Sequence, residues 1–312
     1  MAQSSDKPAI LRIGSRGSPL ALTQARAVRD RIAATHGFDP EHITIEAIRT
    51  TGDMIQDRPL AEAGGKGLFT KEIEEALLAG RIDIAVHSAK DVPTFLPPGL
   101  TLTAYLPRED ARDVLISSKA KTLHELPAGA TVGTASPRRQ AIVKRTRADL
   151  RVVSLRGNVE TRLRKLREGH ADATILALAG LKRLELTDAI ATIMSADEFL
   201  PAVGQGAIVV ETREDDGKTR DLLAGINHPD TATALTCERA FLAVLDGSCR
   251  APIAGHATLT GDVLAFRGMI FKPDGSQSFE TSRSGNQRDA ARLGTEAGQD
   301  LKSRGGVDFF LS

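Results

Sequence analysis

The chain has 312 residues, of which 41% are hydrophobic and 28 are glycine, a composition typical of folded proteins and unlike that of disordered ones. Because single cores stop growing at about 250–300 residues, we expect two or three domains. The 41 basic and 40 acidic residues nearly cancel, which argues against a general polyanion or membrane-surface binder. Aromatic residues are scarce, at 4% with no Trp and one Tyr, which argues against base stacking.

The first half of the chain contains a pattern that recurs in the second. Residues 13–19 predict a strand end, a glycine turn and a helix with Ser18 as its N-cap and Pro19 as its first residue. Residues 132–137 repeat this order with Ser136 and Pro137. Each half then predicts a helix, a strand and a second helix that a glycine follows. In the first half these elements are residues 19–35, 42–49 and 68–79, followed by Gly80. In the second half they are residues 137–147, 150–155 and 159–168, followed by Gly169.

This repeat predicts the fold class. Strands that alternate with helices indicate parallel sheets covered on both faces, so we expect two similar α/β lobes with mainly parallel sheets. A cleft between two such lobes is typical of bilobal small-molecule binders. A chance similarity between two generic α/β units is the alternative.

Turn-forming residues mark where the chain passes between units. Pro97, Pro98 and Gly99 precede a predicted strand that leads to the second lobe, and residues 201–206 precede one that crosses back to the first. A third unit begins at residues 227–229 and combines two predicted helices with β runs, as in a small α+β domain. The expected domains are residues 8–106 with 205–224, the Arg-rich residues 107–204, and residues 228–312.

Positive charge is concentrated in one segment. Residues 131–186 contain 13 Lys or Arg and 5 Asp or Glu, a net charge of +8 in a chain whose total is +1. Arg138 and Arg139 lie in the first turn of a predicted helix, where cations oppose the helix dipole, so we expect a bound anion to offset them. Arg16 occupies the equivalent turn of the first lobe. Arginines in such positions suggest carboxylates or phosphates held bidentately.

Other interpretations of this charge stay open. Solvated helix faces account for Arg164, Lys165 and Arg167. Nucleic-acid binding would use the whole patch, although the near-neutral chain and scarce aromatics disfavour it. A non-catalytic bilobal binder of a small polyanion would use it equally well. The Gly-Gly-Lys-Gly run at residues 64–67 lacks P-loop spacing and is a weak anion-site signal, within a long connection over residues 51–67 that predicts a mobile lid.

Asp91 is the candidate for acid–base or electrostatic chemistry. It follows a predicted strand, and ligand sites of α/β sheets lie at the carboxyl ends of such strands. Beside Lys90 and amid arginines its carboxylate would stay ionised, able to stabilise a developing cation or to move protons. A helix N-cap is the alternative role.

The two cysteines have different settings. Cys237 lies on an apolar helix face, which is typical of packing, whereas Cys249 lies in a turn-rich loop beside Arg250, where its pKa would be lowered. Neither has the partners of a zinc site, and we expect no metal. The polar N-terminus and the lack of a long apolar stretch predict a cytoplasmic protein with reduced thiols. We expect a monomer, because no apolar helix face requires a partner.

Eight short motifs follow one another along the chain, among them Asp-Ile-Ala-Val-His-Ser-Ala-Lys-Asp-Val-Pro at residues 83–93 and Gly-Ser-Cys at residues 247–249. The others lie at residues 12–22, 64–69, 136–140, 154–159, 179–183 and 201–206. Together they resemble the porphobilinogen deaminase (hydroxymethylbilane synthase) family, with Pro137 and Ser248 as departures from the family pattern. The resemblance implies three domains, the first two like periplasmic binding proteins.

The resemblance also implies an activity and a site. The family is a transferase that deaminates four porphobilinogen molecules and condenses them head to tail on a dipyrromethane primer, releasing 1-hydroxymethylbilane by hydrolysis in tetrapyrrole and haem biosynthesis. Cys249 would carry this dipyrromethane cofactor through a thioether, and Asp91 would be the catalytic carboxylate. Porphobilinogen would be the partner, without nucleic acid or membrane. The implied cofactor and substrate contacts are Arg16, Ser18, Lys66, Lys90, Ser136, Arg138, Arg139, Arg156, Arg162 and Arg183.

Overall fold

The computed structural model describes residues 9–54, 67–245, 251–306 and 309–310. Its strands are β1 (Leu11–Arg16), β2 (Ile43–Ile48), β3 (Ile84–Ser88), β4 (Leu100–Tyr105), β5 (Asp113–Ile116), β6 (Thr131–Gly133), β7 (Arg151–Val153), β8 (Ala173–Ala177), β9 (Thr192–Ile193), β10 (Ile208–Arg213), β11 (Ile253–Thr260), β12 (Val263–Phe271) and β13 (Ser278–Asn286). Its helices are α1 (Pro19–His36), α2 (Thr51–Met54), α3 (Lys71–Leu78), α4 (Pro137–Thr146), α5 (Val159–Arg167), α6 (Leu178–Arg183), α7 (Gly217–Ala224), α8 (Pro229–Val244) and α9 (Ala290–Gly305). The predicted lid over residues 51–67 lies mostly outside the described residues.

The two lobes are each built on a five-stranded sheet. The first sheet has the order β2-β1-β3-β10-β4, and the second has the order β7-β6-β8-β5-β9. In both sheets the fourth strand runs antiparallel to its neighbours, and the other four share one direction. The shared topology confirms the internal repeat and the predicted pair of α/β lobes with mainly parallel sheets.

Each antiparallel strand is the first strand that the chain forms after it passes from one lobe into the other. Strand β5 follows β4 of the first lobe, and β10 follows β9 of the second. The chain therefore crosses between the lobes twice, through two neighbouring segments that precede β5 and β10.

The helices end and begin as their residue types predict. Gly80 and Gly169 follow α3 and α5 with φ of +67° and +81°, the left-handed conformation that glycine adopts without a Cβ penalty. Helix α8 begins at Pro229, and His228 is its N-cap. Among the described residues, no helix has both the length and the apolar character needed to cross a bilayer.

The C-terminal domain packs its antiparallel sheet β11-β12-β13 beside α8 and α9, as a small α+β unit. Its Phe241 belongs to the same apolar core as Val92 and Val209 of the first lobe. Its Phe271 belongs to the same core as Ile142 of the second lobe. Apolar burial therefore holds this domain against both lobes, close to the segments that join them.

Candidate active site

A cavity of about 1060 Å³ lies between the lobes. Its walls come from the carboxyl ends of β1, β2 and β3 on one side and of β6, β7 and β8 on the other, the edge at which α/β sheets bind ligands. Leu242, Ala251 and Ile253 of the C-terminal domain also line it. This volume is at the upper end of the range for small-molecule pockets, about 300–1,000 Å³.

The cavity brings together the site residues predicted from the sequence, wherever the structure describes them. Lys66 and Cys249 lie outside the described residues, so their predicted roles stay predictions. The predicted residues that line the cavity are Arg16, Ser18, Lys90, Asp91, Ser136, Arg138, Arg139, Arg156, Arg162 and Arg183.

Two helix N-termini face the cavity. Ser18 caps α1 by accepting the Ala21 N–H at 3.3 Å, and Ser136 caps α4 by accepting the Arg139 N–H at 3.4 Å. Proline is the first residue of both helices, as predicted. The exposed backbone N–H groups and the helix dipoles make both ends suitable for binding an anion.

Arg16 on the first wall already has a carboxylate partner. Its Nε donates to Asp53 Oδ1 at 3.2 Å, its Nη2 is also paired with Asp53, and its guanidinium lies 4.2 Å from the centre of the Phe69 ring. Burial would raise the pKa of Asp53, but hydrogen bonds from Arg16 and Thr50 and the charge of Arg16 lower it below its usual value. No local sequence pattern indicates this pair, because its two residues are 37 positions apart.

Lys90 and Asp91 lie in a short 3-10 turn, Ala89–Asp91, directly after β3. Asp91 is the last residue of this turn, so the alternative of a helix N-cap is wrong. Burial lowers the pKa of Lys90 to about 8. The positive charge of Arg139, and to a smaller extent that of Arg138, also lowers this pKa. The negative charges of Asp91 and Asp113 raise it and so offset part of the shift. Lys90 is thus a cation below about pH 8, next to the Asp91 carboxylate.

Arg138 and Arg139 share one buried counter-ion inside the protein. Arg138 Nη2 donates to Asp113 Oδ2 at 2.6 Å, and Arg139 Nη2 donates to Asp113 Oδ1 at 2.8 Å. The two guanidinium groups also donate to the carbonyl oxygens of Leu200 and Ile175. The expectation that a bound anion alone offsets these cations therefore needs correction, because the buried Asp113 carboxylate offsets one of the two charges.

One donor of the same cluster has no partner. Arg138 Nε is buried and has no hydrogen-bond partner within the described segments. Although Arg138 lines the cavity, this nitrogen has almost no surface open to it, so it carries a desolvation cost and does not offer a ligand a direct contact in this conformation.

Replacing Asp113 with asparagine is expected to destabilise the protein by about 3–5 kcal/mol, because two buried guanidinium groups lose their counter-ion. Burial would raise the pKa of Asp113, but Arg138 and Arg139 lower it to about 2. A lowered pKa means that this stabilisation is complete above about pH 4 and is lost as the pH falls towards 2. Chemical denaturation should therefore show a gap between the two proteins at pH 7 that narrows on acidification.

Asp149→Asn is the control for this prediction, since the Asp149–Arg147 pair of the same lobe lies at the surface. Its unfolding midpoint should stay close to that of the unmodified protein. An Asp113→Asn variant as stable as this control at pH 7 would contradict the argument.

Further arginines complete the second wall. Arg162 Nε donates to Gly157 O at 2.8 Å, and Arg183 Nη2 donates to Gly206 O at 2.7 Å. Burial lowers the pKa of Arg162 to about 10. The positive charge of Arg139, and to a smaller extent those of Arg156 and Arg16, also lowers this pKa, whereas the negative charge of Asp91 raises it. Cations from both lobes thus converge near Asp91, where their mutual repulsion favours bound anions.

Sequence reasoning missed four residues of this region. Three of them line the cavity: Arg49, an exposed cation directly after β2, Asp53 and Gln205. The fourth, Asp113, lies behind the wall and pairs with Arg138. Of the residues assigned to solvated helix faces, Arg164 pairs with Glu168 and Lys165 donates to the Arg156 carbonyl, although both also line the cavity. Arg49 could have been predicted as a site residue, because it lies at the end of a predicted strand of the first lobe.

Within the part of the chain that the structure describes, no group of three or more His, Cys, Asp or Glu side chains is arranged to hold a metal.

The charge of the cavity wall is strongly unbalanced. The described lining includes two carboxylates, Asp53 and Asp91, and ten cations, which are Arg16, Arg49, Lys90, Arg138, Arg139, Arg156, Arg162, Arg164, Lys165 and Arg183.

The fold and the cavity define a two-lobed α/β protein whose cleft, lined by ten cations and two carboxylates, suits a small polyanion. A model of "Porphobilinogen deaminase, dipyromethane cofactor binding domain" matches residues 11–221, and one of "Porphobilinogen deaminase, C-terminal domain" matches residues 232–303. The chain therefore belongs to the porphobilinogen deaminase family. This confirms the resemblance and, with it, the predicted enzyme class.

Curated relatives match over nearly the whole length. Porphobilinogen deaminase of Nitrobacter winogradskyi is 62% identical over 309 residues, covering 99% of this chain and 98% of that protein. The enzyme of Nitrobacter hamburgensis is 59% identical over 310 residues, with the same coverage of 99% and 98%. Among solved structures, a putative methionine-binding lipoprotein from Bacillus subtilis is similar with a TM-score of 0.42 and 12% identity, covering 71% of this chain and 91% of that chain.

Proposed function

We propose that this chain carries a dipyrromethane cofactor on Cys249 through a thioether. On this cofactor it deaminates and condenses four porphobilinogen molecules head to tail, and it releases 1-hydroxymethylbilane by hydrolysis. The observation that carries the proposal is the cation-lined cavity around Asp91 in a chain of the porphobilinogen deaminase family.

The described residues fit the cofactor. A dipyrromethane has acetate and propionate groups on both rings, and the cavity offers two capped helix N-termini and several guanidinium groups. Leu242 and Ala251, which line the cavity, precede and follow the segment containing Cys249. When bound, the cofactor supplies the pyrrole carbon to which the first substrate ring is joined. The residues that would hold its carboxylates are Arg16, Ser18, Ser136, Arg138, Arg139, Arg156, Arg162 and Arg183, with Lys66 as a further predicted contact.

Asp91 would act on the substrate. When the aminomethyl nitrogen of porphobilinogen leaves as ammonia, the ring electrons replace the broken C–N bond and the pyrrole becomes a cation. The Asp91 carboxylate would accept the N–H of that pyrrole and stabilise the positive charge. Lys90, which lines the cavity beside Asp91, would pair with a substrate carboxylate.

Incubation of the holoenzyme with porphobilinogen tests this function. We expect about four molecules of porphobilinogen consumed and four of ammonia released for each linear tetrapyrrole, measured by chromatography and an ammonia assay. A non-catalytic polyanion binder would deplete at most a stoichiometric amount of porphobilinogen without releasing ammonia, and that result would refute the proposal.

We further propose that the chain acts as a cytoplasmic monomer, without nucleic acid or membrane partners. The support is its near balance of 41 basic and 40 acidic residues and the enclosure of the cationic groups within a cleft. Size-exclusion chromatography with light scattering should give one chain per particle. Binding to DNA or RNA at low salt would contradict the proposal.

A further inference from the structure

The segment of residues 201–207, here called the crossover segment, returns the chain from the second lobe to β10 and packs against the turn that carries Lys90 and Asp91. Ala89 N donates to Ala207 O at 3.0 Å. Gly204 has φ of +73°, and a Cβ there would lie 2.9 Å from Lys90 N, so only glycine permits this approach. The backbone of the crossover segment thus touches the turn at two points.

Gln205, in the middle of this segment, joins the two walls of the cavity. Its buried Nε2 donates to Ala111 O at 2.7 Å and to Asp113 Oδ1 at 3.0 Å. Both atoms are acceptors only, so the amide nitrogen must face them. The amide oxygen is therefore turned towards Lys90 Nζ, a donor-only group 3.4 Å away.

The charges around Lys90 show what this orientation does. Lys90 faces Asp91 on its own turn and Arg138, Arg139 and Asp113 across the cleft, and the last three carry a net charge of +1. The oxygen of Gln205 places the negative end of an amide dipole between this positive cluster and the ammonium. A glutamate could not serve in the same way without opposing Asp113 at hydrogen-bond distance.

We propose that Gln205 is a positioning residue that fixes the Lys90 ammonium of the first lobe relative to the arginine pair that Asp113 holds in the second. Asp113 orients the Gln205 amide, and the amide oxygen orients Lys90 beside Asp91. The consequence for catalysis rests on the proposed role of Lys90 as a substrate contact, whereas the positioning itself does not.

Competitive labelling of lysines with acetic anhydride, on the holoenzyme and across a pH series, tests this proposal without turnover. The neutral amine is the reactive form, so the labelling midpoint of the Lys90 peptide reports its pKa. In the unmodified protein this midpoint should lie below that of the exposed Lys218, because Lys90 lies within the cleft among cations and is partly shielded from solvent.

Two substitutions should move the midpoint in opposite directions. Gln205→Met removes the oxygen that favours the ammonium, so the Lys90 midpoint should fall by about half a pH unit or more. Gln205→Glu puts a carboxylate there, so the midpoint should rise by a similar amount. Lys218 should not change in either variant. An unchanged Lys90 midpoint in whichever variant folds, judged by circular dichroism, would overturn the proposal.

Lys90→Met separates this inference from the proposed function. A large increase in KM for porphobilinogen is expected if Lys90 binds a substrate carboxylate. Unchanged kinetics would remove the proposed role of Lys90 in the reaction, and the labelling result for Gln205 would stand on its own.

Discussion

Replacing Asp91 with asparagine should lower turnover of porphobilinogen by about 10²-fold or more, without loss of the fold. The amide has nearly the same size but no charge, so it cannot stabilise the pyrrole cation formed when ammonia leaves. It would also bring N–H groups towards Lys90 and Arg162, the cations that the Asp91 carboxylate now faces. Steady-state kinetics on the purified holoenzyme would measure the effect.

Asp83→Asn is the matched control, because Asp83 is an ion-paired carboxylate of the same lobe that bonds to Arg12 outside the cavity. Its turnover should stay close to that of the unmodified protein. Thermal unfolding and the intact mass of the Asp91 variant should show that it folds and retains its cofactor. A folded, cofactor-bearing Asp91→Asn variant with normal turnover would remove Asp91 from the chemistry.

Local patterns in the sequence predicted the parts of the site that depend on neighbouring residues. Ser18 and Ser136 cap their helices because their side-chain oxygens accept a backbone N–H of the first turn, and a proline directly after each serine marks where the helix begins. Asp91 lies at the cleft because a buried strand ends just before it. These relations span a few residues, so they can be recognised from the local sequence pattern alone.

The internal neutralisation of the arginines could not be predicted in this way. Asp113 is 25 residues before Arg138 and begins a strand of only four residues. No periodicity links the two positions, and the pair forms only because β5 enters the second sheet beside β8. The same holds for Arg16 and Asp53, which are 37 residues apart.

Strand β13 was not predicted, because the β runs expected in the third unit lie around Ala257 and over residues 264–271. Its sequence from Ser278 to Asn286 is mostly polar and lacks the alternating apolar residues that indicate a strand. It forms because β12 offers it a full antiparallel edge and α9 packs against it. Pairing of this kind is a property of the assembled domain and not of the segment itself.

Replacing Cys249 with alanine should abolish both cofactor attachment and turnover. The chain has two cysteines, and burial raises the pKa of the Cys237 thiol to about 12, so at neutral pH Cys237 has essentially no thiolate to form a thioether. Cys237 also belongs to the apolar core that joins the C-terminal domain to the first lobe. Of the two thiols, the proposal therefore assigns the attachment to Cys249, which lies outside the described residues.

Intact-mass spectrometry and Ehrlich's reagent measure the outcome directly. The unmodified protein should carry an excess mass equal to two pyrrole units and give the colour of a dipyrromethane, and Cys249→Ala should give neither. Cys237→Ala is the matched control, and it should keep the excess mass despite some loss of core packing. If the extra mass stays on Cys249→Ala and disappears from Cys237→Ala, the tether is on the buried thiol. In that case the cationic cleft around Asp91 would need another explanation, because Cys237 does not line it.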